Sequence, residues 1–510
     1  MAVIQSGQAI SIAPGLTVVI FPPSNTYING LPTDGFGMVG VGSWGPVNLP
    51  VIGMGNPAQV QAMYGPVTNR VRDISTAADV ASSNFVQSMT VVRVTDGTDL
   101  AAKALMNDTL PALGVTLTAK YTGIVGNTFA AQFSTGKAVG TYKLTLTRSG
   151  FVPEVWDNIG GTLNAFWVNV ANAINSGIPG SSGPSQNFVA VAGAATAAPA
   201  LLAITATGGT DGATGVTATT QLGTDGLTRT GMYALRKTGV QVATLLDCLT
   251  STTWLAQAQF GLNEGIYFFD ANTQGSSISA AGTALASAGV DSYAFTLCAG
   301  DFCWYQDVVN GVNRSLSPAT YMAVKQAATS PEQSRLNKPL YGLIGTDRSL
   351  ANNLYAQSEK EQAVLGRIDY IANPSPGGNF FSAQTGLNSS SLSSTNGDNY
   401  TRMTNYIAFT INAAMGYVVG QVQTDAQRRA VKASLNSFFN NMWKHNPPMI
   451  GDVSNPTAKP WSVILDNTNN TFAGVALGDE IGNISVTYLS IVRRFILNYE
   501  GGSSVKATPQ

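Results

Sequence analysis

Gly40-Val41-Gly42-Ser43-Trp44-Gly45 is a GxGxxG that follows an apolar run. In a dinucleotide site such glycines admit a pyrophosphate, and the amides of a following helix N-terminus meet its charge. Here Pro46 and a second extended run follow, so residues 37–53 are expected as strand, Gly45-Pro46 turn and strand, with the glycines in a hairpin turn. Gly136-Lys137 is followed by Ala138 and lacks the upstream glycine of a P-loop. His445 is the only histidine and closes a helix after Trp443-Lys444, where an exposed imidazole beside a helix C-terminus needs no further role. A Ser-His-Asp or Cys-His site would depend entirely on it, no GxSxG elbow accompanies it, and a multi-histidine metal centre is arithmetically impossible. Cys298 and Cys303 make half a zinc site at best and are expected as small buried residues at a strand end.

The remaining polar clusters point to turns and solvated faces. Gly208-Gly209-Thr210-Asp211-Gly212 and Gly223-Thr224-Asp225-Gly226 suit tight turns, and one Asp per turn is too sparse for a calcium loop. Glu359-Lys360-Glu361 fits a solvated helix face, while carboxylates paired only by the fold stay open. No catalytic signature emerges, and no cofactor or metal is expected.

Charged residues make up 11% of the 510, well below the share of an ordinary soluble domain, and the net charge is −1. That balance argues against a general nucleic-acid or anionic-membrane surface. Low charge with 54 glycines fits a chain that buries much of its surface in an assembly, or an extracellular β-rich one. Asp34 is the only charge before Arg70, so a Sec-type signal is not expected, and no apolar run is long enough to span a bilayer. Three cysteines make no disulfide framework, which agrees with a reducing compartment. The expectation is a cytosolic product.

Periodicity supplies the elements. Residues 1–28 form an extended arm in which Ile10, Ile12, Leu16, Val18 and Ile20 alternate around Pro14-Gly15. Asn56-Pro57 opens a short helix, residues 73–89 form a second, capped by Asp73 or Ser75, and residues 90–96 form a buried strand. The pattern from 110 to 231 is β-rich with one short helix near 165–174, which marks an inserted domain. From 240 to 299 strands alternate with helices as parallel βαβ units do. Helices follow at 318–329, 351–367, 399–422 and 424–444, the last capped by Thr424, and residues 377–391 are expected as a strand with a Ser-rich loop. Residues 461–465 and 471–477 lead as strands into a final alternating strand carrying Phe495, Leu497 and Tyr499. The expected architecture is mixed α/β: an arm (1–28), a discontinuous core (29–109 and 232–490, with a split near 338 left open), an outer insertion (110–231) and a C-terminal donor strand and tail (491–510).

In order and spacing these pieces resemble the contractile tail sheath proteins of bacteriophages. Ala13-Pro14-Gly15-Leu16-Thr17-Val18 is similar to the family's "PGVYV" stretch, and residues 37–53 with Tyr64-Gly65 resemble its "GxxxxGP…P…F/YG" opening. Thr90-Val91-Val92-Arg93-Val94 resembles its "VVRV" strand and residues 208–212 its "GGTDG" turn, while Tyr400-Thr401-Arg402-Met403 has one arginine where the family has two. The resemblance implies subunits stacked helically around a tail tube, with N- and C-terminal strands donated to neighbouring copies and contraction driving the tube through the host envelope. On that reading Ile12, Leu16, Val18, Ile20, Phe495, Leu497 and Tyr499 make the inter-subunit arm contacts. The other partners are the tube, baseplate and tail terminator proteins, with no nucleic acid and no membrane insertion; the location is the virion tail, assembled in the host cytoplasm. Arg428, Arg429 and Lys432, expected opposite the apolar stripe of their helix, are the tube-facing candidates. The alternatives are the sheath of a phage-derived particle or secretion system and, from another class, an α/β enzyme with an inserted β domain.

Overall fold

A computed structural model describes the backbone of Ala2–Gln5 and Thr17–Ile20 together with residues 28, 30–497 and 499. The chain forms two compact units: Met1–Pro32 with Pro331–Gln333 and Arg402–Gln510, and Thr33–Ser330 with Ser334–Thr401. The division falls at Arg402, inside the helix Asp398–Met415, and the sequence leaves a split near 338 open.

The larger unit is organised on a seven-stranded sheet of β1 (Gly35–Gly40), β2 (Val51–Met54), β3 (Ser88–Arg93), β4 (Val242–Leu245), β5 (Tyr267–Ala271), β6 (Phe295–Cys298) and β7 (Ile368–Asp369). Their order is β7-β6-β5-β4-β1-β3-β2, parallel throughout except for β2. Alternate residues serve opposite faces: Phe36, Met38, Val91, Val242, Tyr267 and Phe269 pack on one side, and Val39, Val92, Ala243, Leu245 and Phe268 on the other. A sheet buried on both faces needs such continuous apolar strands. Helices α1 (Pro57–Tyr64), α2 (Ile74–Ser83) and Pro318–Ala327 contribute to the first face; α3 (Ser251–Glu264) and α4 (Ile278–Ser287) contribute to the second.

Between β3 and β4 a separate core gathers residues from Ala102 to Ala206 around Phe129, Phe133, Trp156, Phe166 and Trp167. It lies between a three-stranded sheet (Phe188–Ala192, Leu113–Ala119, Lys103–Asn107), a four-stranded sheet and the helix Asn164–Ser176. This core begins earlier than 110 and ends well before 231, because the bridges Leu100↔Thr210 and Lys103↔Thr207 close its stem.

Several expectations change in detail. β1 and β2 are not hairpin partners: β3 lies between them, and β2 pairs antiparallel with β3 through Val51↔Val91 and Met54↔Met89. Helix α2 starts at its Asp73 cap, whose carboxylate accepts the Thr76 amide, but ends at Ser83 because β3 begins at Ser88. The helix expected at 351–367 covers only Gln357–Gly366, the one expected at 399–422 is regular only from Asp398 to Met415, and the strand at 377–391 shrinks to Ser382–Ala383. Residues 471–477 form a helix, Phe472–Leu477, after Thr471 accepts the Gly474 amide as N-cap.

Two buried ionisable groups stand out in the larger unit. Arg335 is wholly buried, 2.7 Å from Asp369 at the end of β7 and 3.4 Å from Asp398 at the start of the next helix, and it donates to Gln326 Oε1 and the Leu387 carbonyl. Arg335→Met should lower the unfolding free energy by about 3–5 kcal/mol, read as an earlier chemical-denaturation midpoint, because two carboxylates lose their buried cation. Asp270, on β5, accepts hydrogen bonds from Gln257 Nε2 (2.7 Å), the Ala271 amide (2.7 Å) and the Leu249 amide (3.3 Å). Burial pushes its pKa up to about 7, so the folded chain holds this proton more tightly than the unfolded one. Its stabilising contribution is complete below the ordinary value of 3.8 and is lost as the pH rises towards about 7. Between about pH 5 and about pH 8 the denaturation midpoint of Asp270→Asn should therefore fall less than that of the parent. Equal slopes for the two proteins would show that Asp270 does not titrate in this range.

Candidate functional site

Open α/β sheets bind ligands outside the carboxyl ends of their strands, where the strand order reverses direction. Here that point lies between β1, which leads through α1 and α2 to β3, and β4, which leads through α3 to β5. The GxGxxG follows β1 directly, as a dinucleotide loop would. The crevice is filled by the chain itself. Gln221 is wholly buried and donates to the Val39 carbonyl (3.1 Å) and the Leu246 carbonyl (2.7 Å), bridging the ends of β1 and β4. Its Oε1 accepts from Arg72 Nε at 3.0 Å, and the Arg72 amide donates to Asp247.

The glycines have a packing purpose. Gly45 has φ +96°, and a Cβ there would stand 2.5 Å from the Met63 carbonyl oxygen of α1. This close approach aims Trp44 into the neighbouring core, where its ring meets Tyr121 and Phe129 edge-on at 5.5 and 5.0 Å between centroids. Arg93, at the end of β3, is wholly buried and donates to the carbonyls of Gly45 and Thr122 (2.8 Å each) and of Asp211 (3.0 Å). Burial lowers its pKa to about 10, which still leaves the guanidinium charged near neutrality. Arg70 reaches the Asp211 carboxylate at 2.6 Å from the core side. The "VVRV" strand and the "GGTDG" turn thus meet at one hydrogen-bonded joint.

The other chemical candidates stay apart. Cys298 and Cys303 are fully buried, burial holds both thiols well above their usual pKa, and the Cys298 thiol donates to Met322 Sδ. His445 is exposed at the helix end, where Nδ1 lies 2.8 Å from the Pro447 carbonyl; since that oxygen only accepts, Nδ1 carries the proton. Among the described residues no group of three His, Cys, Asp or Glu side chains is arranged to hold a metal ion. Asp270, Gln221 and Arg335 were not singled out in the sequence: each looks like a polar residue beside apolar ones until its distant partners are known.

The smaller unit has a different character. Its core joins Met403, Tyr406 and Ile407 of helix α5 (Asp398–Met415) to Val431, Leu435, Phe438, Phe439 and Met442 of α6 (Asp425–Lys444) and to Trp461, Val463 and Leu465. Over it lie, among the described residues, the paired strands β8 (Trp461–Ile464) and β9 (Asn483–Val486), antiparallel in the register Trp461↔Val486 to Ile464↔Asn483. After the bridge Ile450↔Tyr488 the chain takes no regular form up to residue 497, and Val492, Phe495, Ile496, Leu497 and Tyr499 are all at least 73% exposed. The alternation expected to form a strand there forms none among the described residues. At the other terminus Ala2–Gln5 pairs in parallel with Thr17–Ile20; Ile12, Leu16 and the side chains of Val18 and Ile20 lie outside the described residues.

The cationic trio is not one surface. Arg428 stands three and seven residues before Val431 and Leu435, on the buried stripe rather than opposite it, and is only 7% exposed. It donates to Asp425 (3.1 Å) and Asn467 (2.8 Å), while Lys432 pairs with Asp466 at 3.2 Å. Arg429 alone points outward with no ion-pair partner among the described residues.

No protein-family profile and no curated protein matches the sequence. Solved structures do. The sheath tail protein of Listeria innocua superposes with a TM-score of 0.59 at 14% identity, covering 85% of this chain and 89% of its own. A sheath tail protein of Desulfitobacterium hafniense gives 0.56 at 13% identity, over 90% and 94% of the two chains. The contracted sheath of PVC, an extracellular contractile injection system, gives 0.55 at 11% identity, over 97% and 99%. No helix among the described residues is long and apolar enough to cross a membrane. With its parallel sheet, its insertion and its helix-backed terminal hairpin, the chain has the fold of the sheath tail proteins.

Proposed function

We propose that this chain is the structural subunit of a contractile tail sheath, polymerising helically around a tail tube and contracting to drive the tube through a host envelope during genome delivery. The observation that carries the reading is the exposure of Val492, Phe495, Ile496, Leu497 and Tyr499 in a chain whose fold matches contracted sheaths over nearly its whole length. Such a stretch is a liability in an isolated protein and an asset in one that adds strands to its neighbours. About five backbone hydrogen bonds per donated strand, at roughly 0.5–1.5 kcal/mol each, would hold adjacent copies while their bodies move. The N-terminal arm with Ile12, Leu16, Val18 and Ile20 and the C-terminal Phe495, Leu497 and Tyr499 make these contacts on this reading.

The tail tube, baseplate and tail terminator are the other partners, and the subunit joins the virion tail after synthesis in the host cytoplasm. Arg429 is the strongest tube-facing candidate, because Arg428 and Lys432 are committed within the subunit. The likeness to the PVC and anti-feeding prophage sheaths equally supports a subunit of a phage-derived particle or secretion system. The enzyme alternative is weakened because Gln221 fills the crevice such a sheet would offer a substrate.

Electron microscopy of the purified protein should show tubes or striated filaments; discrete globules at every concentration would overturn the sheath reading. Deletion of residues 492–510 should leave a folded monomer, by circular dichroism and gel filtration, that no longer forms tubes. Tubes from that truncation would place the segment outside the inter-subunit contacts.

A further inference from the structure

The smaller unit is strung along the 20-residue helix α6, and its two ends differ in chemistry. One end is the connection between β8 and β9. Asn470 Oδ1 accepts the Ile481 amide (2.7 Å) and its Nδ2 donates to the Ile481 carbonyl (2.9 Å), while Asn469 Nδ2 donates to the Ile464 carbonyl (2.8 Å). Thus braced, the connection presents the short helix α7 (Phe472–Leu477), which buries none of its residues. Phe472 is 91% and Leu477 81% exposed, and Asp479 and Glu480 follow, neither with an ion-pair partner among the described residues.

At the other end Trp443 and Trp461 meet edge to face with centroids 5.7 Å apart. Lys444 Nζ lies 4.2 Å from the Trp443 ring centre and Lys459 Nζ 5.8 Å from that of Trp461. Both lysines are exposed, and neither has a carboxylate partner among the described residues. The nearby acid of this loop, Asp452, is turned onto the Ser454 hydroxyl (2.6 Å) and amide (2.9 Å). Arg428, bonded to Asn467, marks the first end of α6, and Trp443, against Trp461, marks the second. At 1.5 Å per residue these marks stand about 22 Å apart.

We propose that the α7 end of one copy docks on the tryptophan–lysine end of a second copy. Phe472 and Leu477 cover the half-buried Trp443 ring, and Asp479 and Glu480 meet Lys444 and Lys459. The partner is a second copy because this chain supplies both halves of the match: an apolar knob flanked by two unpaired acids, and an aromatic surface flanked by two unpaired ammonium groups. The two surfaces are different, so the contact is head-to-tail and propagates into a filament instead of closing as a dimer. It rests on the sheath reading for its helical setting and adds a contact that uses neither terminal arm.

The test reads the critical concentration for tube formation, by sedimentation at low ionic strength, where rim charges act most strongly. Asp479→Lys with Glu480→Lys should raise it about tenfold, and Lys444→Glu with Lys459→Glu should do the same. Combining all four should restore it towards the parent value. An unchanged critical concentration in either double variant, or a quadruple variant no better than the doubles, overturns the proposal. If the parent forms no tubes, the sheath reading falls, and the contact is then judged by sedimentation velocity. Parental self-association lost in both double variants and regained in the quadruple supports it, and a strictly monomeric parent overturns it.

Discussion

A buried guanidinium needs partners for its N–H groups, and both terminal nitrogens of Arg93 donate to carbonyls from three separate stretches of chain. Gly45 belongs to the loop leaving β1, Thr122 to the loop after the insertion's strand Leu113–Ala119 and Asp211 to its return. Their convergence on one planar cation fixes where the insertion leaves and rejoins the sheet. Arg70, paired with Asp211, and Trp44, seated in the insertion's core, reinforce the same joint. Removing a side chain that unites three backbone segments costs more than one contact, because three carbonyls lose their donor at once.

The same economy explains why a parallel sheet flanked by helices lacks the crevice its topology would allow. A strand-order reversal leaves carbonyl groups of β1 and β4 facing a gap, and water or ligand normally satisfies them. Gln221 does so here, with Arg72 and Asp247 completing the closure. The GxGxxG keeps its position at the end of β1 but serves close packing against α1 and the delivery of Trp44. A loop of familiar spacing has become a structural socket.

The smaller unit follows a different principle. Two strands over two helices bury a full apolar stripe of α6, yet a two-stranded ribbon satisfies only its inner backbone groups. Among the described residues Val492, Phe495, Ile496, Leu497 and Tyr499, with Phe472 and Leu477, add exposed apolar surface.

Much of this was legible in the residues. Apolar runs give most of the strands, though not one at 471–477 or 491–497, and the Thr424 and Asp73 caps give two helix starts, since these signals are local and set by backbone geometry. Low charge, one histidine and three cysteines also narrowed the chemistry, because composition bounds what any fold can assemble. Other features depend on partners far along the chain. That β3 inserts between β1 and β2, that Gln221 closes the crevice and that Asp270 is buried without a cation all rest on contacts between distant segments. Arg428 is the sharpest case: its helical spacing places it on the stripe with Val431 and Leu435, and Asn467, 39 residues away, joins the local Asp425 in accepting from its buried guanidinium. Local periodicity determined which elements form, and tertiary structure decided which polar groups those elements could bury, because a buried charge is tolerable only where a distant partner arrives to meet it.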